Sequence, residues 1–373
     1  MTKHERLIRI CREVLFGQDS GLQEVLSVTA GELDELCNYA SSHGLLAVVA
    51  SVLGKISTAG MNTTDLADSK LAWFLSAQDV IKDSQRIQKQ TSDLARLFQE
   101  KGMDVMFLKG ASLAQFYPSP DWRNCSDIDF FLYGRQDEGI DVLRQAGLKV
   151  RDTDDYHAHA NFNGARIELH QQFLDEGRLS SNSLVESALM ELSEQEGRKV
   201  PFQRLGDDVQ NAYSMSPTMN AIFLMRHMTV HFVSEVIIMR QLYDWGLFLA
   251  HQGRMVDWDR VSALYEQTGM TEFARRIQHV VTIKMQMPVD ACCPITPLGG
   301  PLTERMWHGI CQAEEDGRKH PSKLLTGIKR RMEMLRSKWK YKLAYPRDSF
   351  WKMWGYMAVR GFKTISRHHT AKV

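Results

Sequence analysis

Apolar positions recur at helical spacing through the first hundred residues of this 373-residue chain. They contract to short continuous or alternating runs between about 103 and 171, and return to helical spacing from about 180 onward. In the first block, Thr29-Ala-Gly-Glu32 has the capping-box pattern ahead of an apolar-periodic stretch that ends near Ile56. A second helix is predicted over 68–100, with Leu71, Phe74, Leu75, Ile81, Leu94, Leu97 and Phe98 as its core stripe and Gly102 as its cap. The middle block predicts strands at 104–108, 127–133, 148–152, 157–163 and 165–171, the last two joined by the turn Asn163-Gly164. Helices are predicted at 111–117, broken by Pro118 and Pro120, and at 137–146, stopped by Gly147. The third block predicts helices at 218–233, 237–251, 257–268 and 271–287, then a Pro- and Gly-rich linker at 292–301.

The expectation is therefore an α+β protein, a small mixed β-sheet core flanked by N-terminal and C-terminal helical regions. The predicted boundaries are 1–100, 101–178, 179–317 and a tail at 318–373. No internal repeat interrupts this order.

Composition is that of an ordinary globular chain, 43% hydrophobic and 24% charged, with a net charge of +1. It lacks the uninterrupted run of about 18 apolar residues that a transmembrane helix needs. The start, Met-Thr-Lys-His-Glu-Arg-Leu-Ile, has no apolar leader core, so a cytoplasmic protein is expected. Cys11, Cys37, Cys125, Cys292, Cys293 and Cys311 show no CxxC spacing, which points to reduced thiols.

Charge is polarised. Residues 318–373 hold 16 Lys or Arg against Glu333 and Asp348, a net +14, and the remainder carries −13. Within the tail, Trp339, Tyr341, Tyr345, Phe350, Trp351, Trp354, Tyr356 and Phe362 alternate with the cations. That pattern fits a peripheral membrane surface, nucleic acid, or a terminal helix whose rings pack on the protein.

The chemistry concentrates between 107 and 170. Asp127 and Asp129 alternate with apolar residues, so both side chains leave the same face of a strand. Two like charges held that close are costly unless a cation bridges them. Glu168, in Ala-Arg-Ile-Glu-Leu-His, is a third acid in a matching place, and Gly110 follows an apolar strand. Such a set suits Mg²⁺-dependent phosphoryl or nucleotidyl transfer. His157 and His159 also share a face, without an assured third ligand. His227 and His231 are spaced i, i+4 but lack the Glu of an HExxH site.

These residues resemble the nucleotidyltransferase fold shared by aminoglycoside nucleotidyltransferases and DNA polymerase β. More closely, Phe107-Leu-Lys-Gly-Ala-Ser-Leu, Tyr117-Pro, Arg123, Asp127-Ile-Asp129 and Ile167-Glu-Leu-His170 are similar to a family of uncharacterised bacterial nucleotidyltransferases with the pattern LKG…YP…R…DID…ELH. The likeness extends through His231, Arg240 and Asp244-Trp. Gly110 is followed by Ala111 where the superfamily has Gly or Ser, and the third acid is Glu where Asp is common.

The resemblance implies catalytic and metal-binding roles for Asp127, Asp129 and Glu168 with two Mg²⁺ ions, Mn²⁺ being a substitute. It implies nucleotide contacts from Lys109, Gly110, Ser112 and Arg123, and an NTP donor, ATP first among them. His170, His231, Arg240 and Asp244 are expected to line the side of an unknown acceptor, although Arg240 with Asp244 also has the spacing of a simple helix ion pair. Three alternatives stand beside this reading. They are a catalytically silent nucleotide-binding regulator, a toxin-like transferase acting on tRNA or protein, and a membrane-associated assembly protein acting through the basic aromatic tail.

Overall fold

The computed structural model describes residues 1–58, 63–152, 157–174, 179–195, 200–202, 208–234, 236–313 and 337–351. Of the basic tail, 318–336 and 352–373 lie outside the described residues. No helix among the described residues is long and apolar enough to cross a membrane.

The fold is α+β. A two-stranded parallel pair, β1 (Ser27–Val28) and β2 (Ser57–Thr58), sits among the N-terminal helices. The main sheet is built from β3 (Val105–Phe107), β4 (Asp127–Phe131), β5 (Arg151–Asp152), β6 (His157–Phe162), β7 (Ala165–His170), β8 (Val200–Pro201) and β9 (Ala212–Ser214), in the order β5-β6-β7-β4-β3-β9-β8. It is mixed: β4 runs parallel to β7 and antiparallel to β3, and β3 runs parallel to β9. The sheet thus draws two strands from beyond residue 178, the expected end of the core. They complete the free edge of β3, and at two and three residues they are too short to carry an alternation signal.

Period-two alternation gives the sheet two unlike faces. Ile128, Phe130, Ile167 and Leu169 point into a core with Leu94 and Phe98 of the long helix Thr63–Gln99, and with Ile140 and Leu143 of Gln136–Gln145. Asp127, Asp129, Glu168 and His170 occupy the opposite face. Register locks them together: Asp129 lies opposite Glu168 on β7, and Glu168 lies opposite His159 on β6.

The capping box at Thr29 forms, with Glu32 donating its backbone N–H to the Thr29 hydroxyl and accepting from the Thr29 N–H. The helix it starts ends at Ser42, and Gly44 in a left-handed conformation turns the chain into a second short helix, Leu46–Ala50. The long helix departs from its expected stripe. Leu71, Phe74 and Leu75 are 58%, 47% and 56% exposed. The buried row instead runs through Leu66, Ala77, Ser84, Ile87, Thr91, Leu94 and Phe98, so part of the inward face is small or polar.

The helical regions expected on either side of the sheet share one core. Leu7, Ile10 and Leu36 from the N-terminal helices cluster with Ile222, Trp245, Phe248 and Phe273 from the C-terminal half. The described part of the tail joins the same cluster. Tyr341, Tyr345 and Phe350 are buried, Arg226 stacks over Tyr345 at 4.4 Å, and Asp348 accepts from the Ser180 hydroxyl at 2.8 Å. The stretch expected as a free linker is also packed, for Arg276 donates to the Gly299 carbonyl and to Thr303.

Candidate active site

The turn after β3 is the first component. The Leu108 N–H donates to the Asp129 carbonyl at 3.0 Å, which stitches the end of β3 to β4. Gly110 then adopts φ +50°, ψ −121°, a conformation that an L side chain would strain, and the short helix through Ala114 begins beyond it. This places the Lys109 ammonium over β4, 3.1 Å from Asp129 Oδ1. Burial opposes the Lys109 charge, but Asp129, Asp127 and Glu168 outweigh it and raise its pKa.

Asp129 is the centre of the cluster and is 2% exposed. Its Oδ1 also meets His170 Nε2 at 3.0 Å, while His170 Nδ1 lies 3.3 Å from the Gln172 carbonyl. Burial works against ionisation of Asp129, yet Lys109 and His170 hold its pKa far below the usual carboxylate range. The second oxygen, Oδ2, is buried with no hydrogen-bond partner among the described residues. One carboxylate oxygen from each of Asp127, Asp129 and Glu168 falls within a 4.8 Å group. A buried anionic oxygen with no donor, beside two further carboxylates, fits a hard divalent cation.

Glu168 is mostly buried. Burial and then the Asp129 charge raise its pKa, and Arg166, 2.5 Å from Oε1, pulls the other way. His159 Nδ1 lies 3.5 Å from the same oxygen.

The second component is a cavity of about 320 Å³ next to the carboxylates. Lys109, Gly110 and Asp127 line one end, and His227, His231, Arg240 and Gln241 come from the helices Pro217–Ser234 and Met239–Gln252. His227 and His231 meet through their Nε2 atoms at 3.0 Å. Burial, with the charges of Lys109 and His231, keeps the His227 pKa well below its ordinary value.

Arg123 and Asp244 also reach this cavity, but they bond to each other. The guanidinium fork spans both carboxylate oxygens, Nε to Oδ1 and Nη2 to Oδ2, each at 2.9 Å. The Tyr117 hydroxyl donates to Oδ1 at 2.9 Å. Asp244 therefore pairs with Arg123, not with Arg240 one helical turn away. Arg240 instead donates through Nη1 to the Asn124 carbonyl, pinning the loop that leads into β4.

A family model described as "uncharacterised nucleotidyltransferase" matches residues 29–283, more than half of the chain. The chain belongs to this family. No curated protein and no solved structure matches it.

For this nucleotidyltransferase family member, the structure brings together Asp127, Asp129, Glu168, Lys109 and Gly110. Ser112 is buried in the short helix and does not line the cavity. His170 stands against Asp129, on the carboxylate side, while His231, Arg240 and Asp244 line the cavity. Sequence reasoning left out Arg166 and gave His227 no place in the site. Arg166 carried a signal, since it lies two residues from Glu168 and so on the same face. His227 carried one in its i, i+4 spacing to His231.

Proposed function

We propose that this chain transfers a nucleoside monophosphate group from an NTP to an acceptor hydroxyl or phosphate, with loss of pyrophosphate. The observation that carries this reading is the convergence of three carboxylates on one sheet face, beside Lys109 and a left-handed glycine turn, with Asp127, Lys109 and Gly110 lining the adjoining cavity. Family membership supports the same class of reaction.

Asp127, Asp129 and Glu168 would hold Mg²⁺, for which Mn²⁺ can substitute. When bound, such ions neutralise triphosphate charge and lower the pKa of the acceptor hydroxyl. Lys109 supplies a fixed positive charge for the phosphates, and Gly110 lets the backbone approach them without a side chain in the way. The acceptor oxygen attacks the α-phosphorus, the α–β anhydride bond breaks, and pyrophosphate leaves. Of the three carboxylates, Glu168 is the one we assign to receive the acceptor's proton, through the oxygen it does not give to the ion. His227, His231, Arg240 and Gln241 would form the wall against which the acceptor or the base rests. Arg123 serves this wall through Asp244, as a brace and not as a phosphate ligand.

Calorimetric titration of the four NTPs, with and without Mg²⁺, tests the reading on the wild type and on the Asp127→Ala/Asp129→Ala double variant. Binding that needs both the ion and the aspartates is the expected result, with ATP the first nucleotide to try. Binding that survives loss of both aspartates, or no binding by the wild type, would overturn it.

A further inference from the structure

The polar face of the sheet carries more ligand-capable groups than the three carboxylates use. His157 lies directly opposite His170 across the β6–β7 ladder, their ring centroids 4.4 Å apart in an edge-to-face arrangement. One ligand-capable atom from each of His157, Glu168 and His170 falls within a 4.8 Å group, and Glu168 is also a member of the three-carboxylate group. We infer that His157, Glu168 and His170 form a second divalent-cation site that shares Glu168 with the carboxylate site and takes a borderline transition ion in preference to Mg²⁺.

The donor sets separate the two positions chemically. Three carboxylates suit Mg²⁺, a hard ion served by oxygen, whereas two imidazoles and one carboxylate suit the manganese-to-zinc class. The surroundings also fit ligation by His170. Each of its ring nitrogens has an oxygen in reach, Asp129 Oδ1 on one side and the Gln172 carbonyl on the other. Whichever nitrogen takes the ion, the other keeps an acceptor that orients the ring, as metal-bound imidazoles require. All three donors come from two adjacent antiparallel strands, so their spacing is set by ladder register and not by a loop.

The inference rests on the proposed function only in taking Glu168 as a metal ligand, and it adds a role for His157 that the transfer reaction does not need. The site supplies a means of regulation, since an ion held there draws Glu168 away from the carboxylate site or bridges to it.

Visible absorption of Co²⁺ titrated alone into the full chain tests the assignment, because nitrogen ligation in a low-coordinate site gives much stronger bands than an all-oxygen octahedral site. The wild type is compared with His157→Ala, the near-isosteric His157→Gln and Asp127→Asn. The expected result is a strong Co²⁺ spectrum retained in Asp127→Asn. In both His157 variants affinity should fall by more than the roughly 10- to 100-fold that loss of an outer-sphere partner costs. A spectrum lost in Asp127→Asn and unchanged in both His157 variants would overturn the inference and leave the carboxylate site standing. Absence of any Co²⁺ spectrum in a wild type that still binds Mg²⁺·NTP would overturn it too. Failure of Mg²⁺·NTP binding, with the His157-dependent spectrum intact, would refute the transfer reading alone.

Discussion

Removal of the Asp244 carboxylate is the perturbation that best separates bracing from ligand contact. Asp244 and Arg123 side chains are each 6% exposed, and Asp244 accepts three hydrogen bonds, two from the guanidinium fork and one from Tyr117. Burial opposes the Arg123 charge, and the Asp244 carboxylate is the main influence that restores it. Asp244→Ala would leave a guanidinium buried without its counter-charge and a buried phenol without its acceptor. Breaking a buried pair from one side costs about 3–5 kcal/mol. With an unfolding entropy of about 2.1 cal/mol/K per residue, a 373-residue chain loses about 1.3 °C per kcal/mol, so the melting temperature should fall by roughly 4–6 °C. The paired variant Arg123→Met/Asp244→Leu should recover most of that loss, since removing both charges removes the desolvation cost as well. The assay is thermal unfolding followed by circular dichroism, alongside NTP titration of each soluble variant. A change below about 1 °C for Asp244→Ala, or lost NTP binding at undiminished stability, would refute the bracing argument and make Asp244 a ligand contact.

Three further outcomes follow from the same geometry. Lys109→Met should affect the two ligands in opposite directions: Mg²⁺ alone binds more tightly once the ammonium leaves Asp129. NTP binding weakens by about 10- to 100-fold, the worth of one charge-assisted bond. Calorimetry showing both affinities weakened would sink the idea that Lys109 competes with the ion. For pH, Glu168 has a folded-state pKa above its ordinary 4.5, so its contribution to stability is present below that value and lost as pH rises past it. Asp129 is depressed, so its contribution is present above the ordinary 3.8 and lost only in strong acid. Wild-type protein without divalent ion should therefore lose stability relative to Glu168→Gln as pH rises above 4.5, and parallel urea-midpoint profiles would contradict this. Finally, truncation after residue 336 removes Tyr341, Tyr345 and Phe350 from the core, at about 1.5–3 kcal/mol per buried ring. Insoluble or strongly destabilised protein is expected, and a truncated chain melting with the full one would show that the segment is dispensable.

The carboxylate cluster was legible because strand alternation is a local rule. Asp127 and Asp129 had to share a face, and Ile128 and Phe130 between them had to point into a core. Glu168 could be placed beside them because its neighbours Ile167 and Leu169 repeat the pattern on an adjacent strand. The short helix start at Gly110 was legible for a related reason, since glycine after an apolar strand marks a turn that other residues resist. The long helix was misread at its N-terminal end because its inward row contains Ala77, Ser84 and Thr91, while Leu71, Phe74 and Leu75 supply the stronger periodic signal outside. Periodicity reports which residues share a face, not whether anything covers it.

The same limit explains the tail and the Arg123 brace. Interleaved rings and cations in the tail resemble a membrane or nucleic-acid surface, yet the same alternation is what internal cation–ring packing produces. Arg226 over Tyr345, Arg305 over Trp339 and Lys340 over Phe232 lie at 4.4, 4.3 and 5.3 Å. Any test of an anionic partner must therefore replace exposed Lys and Arg singly and leave Tyr341, Tyr345 and Phe350 in place, because deleting them would unfold the core they complete. For Arg123, the nearest cation in sequence to Asp244 was Arg240, with the spacing of an ordinary helix pair. Such a pair is worth about 0.3–0.5 kcal/mol when exposed, whereas a two-pronged guanidinium bond in a desolvated site is far stronger. The carboxylate goes to the partner 121 residues away, and Arg240 is left to hold the Asn124 carbonyl at the entrance to β4. Two arginines from distant positions thus fix the loop that delivers Asp127, which is why a change at residue 244 is expected to register first in the melting temperature.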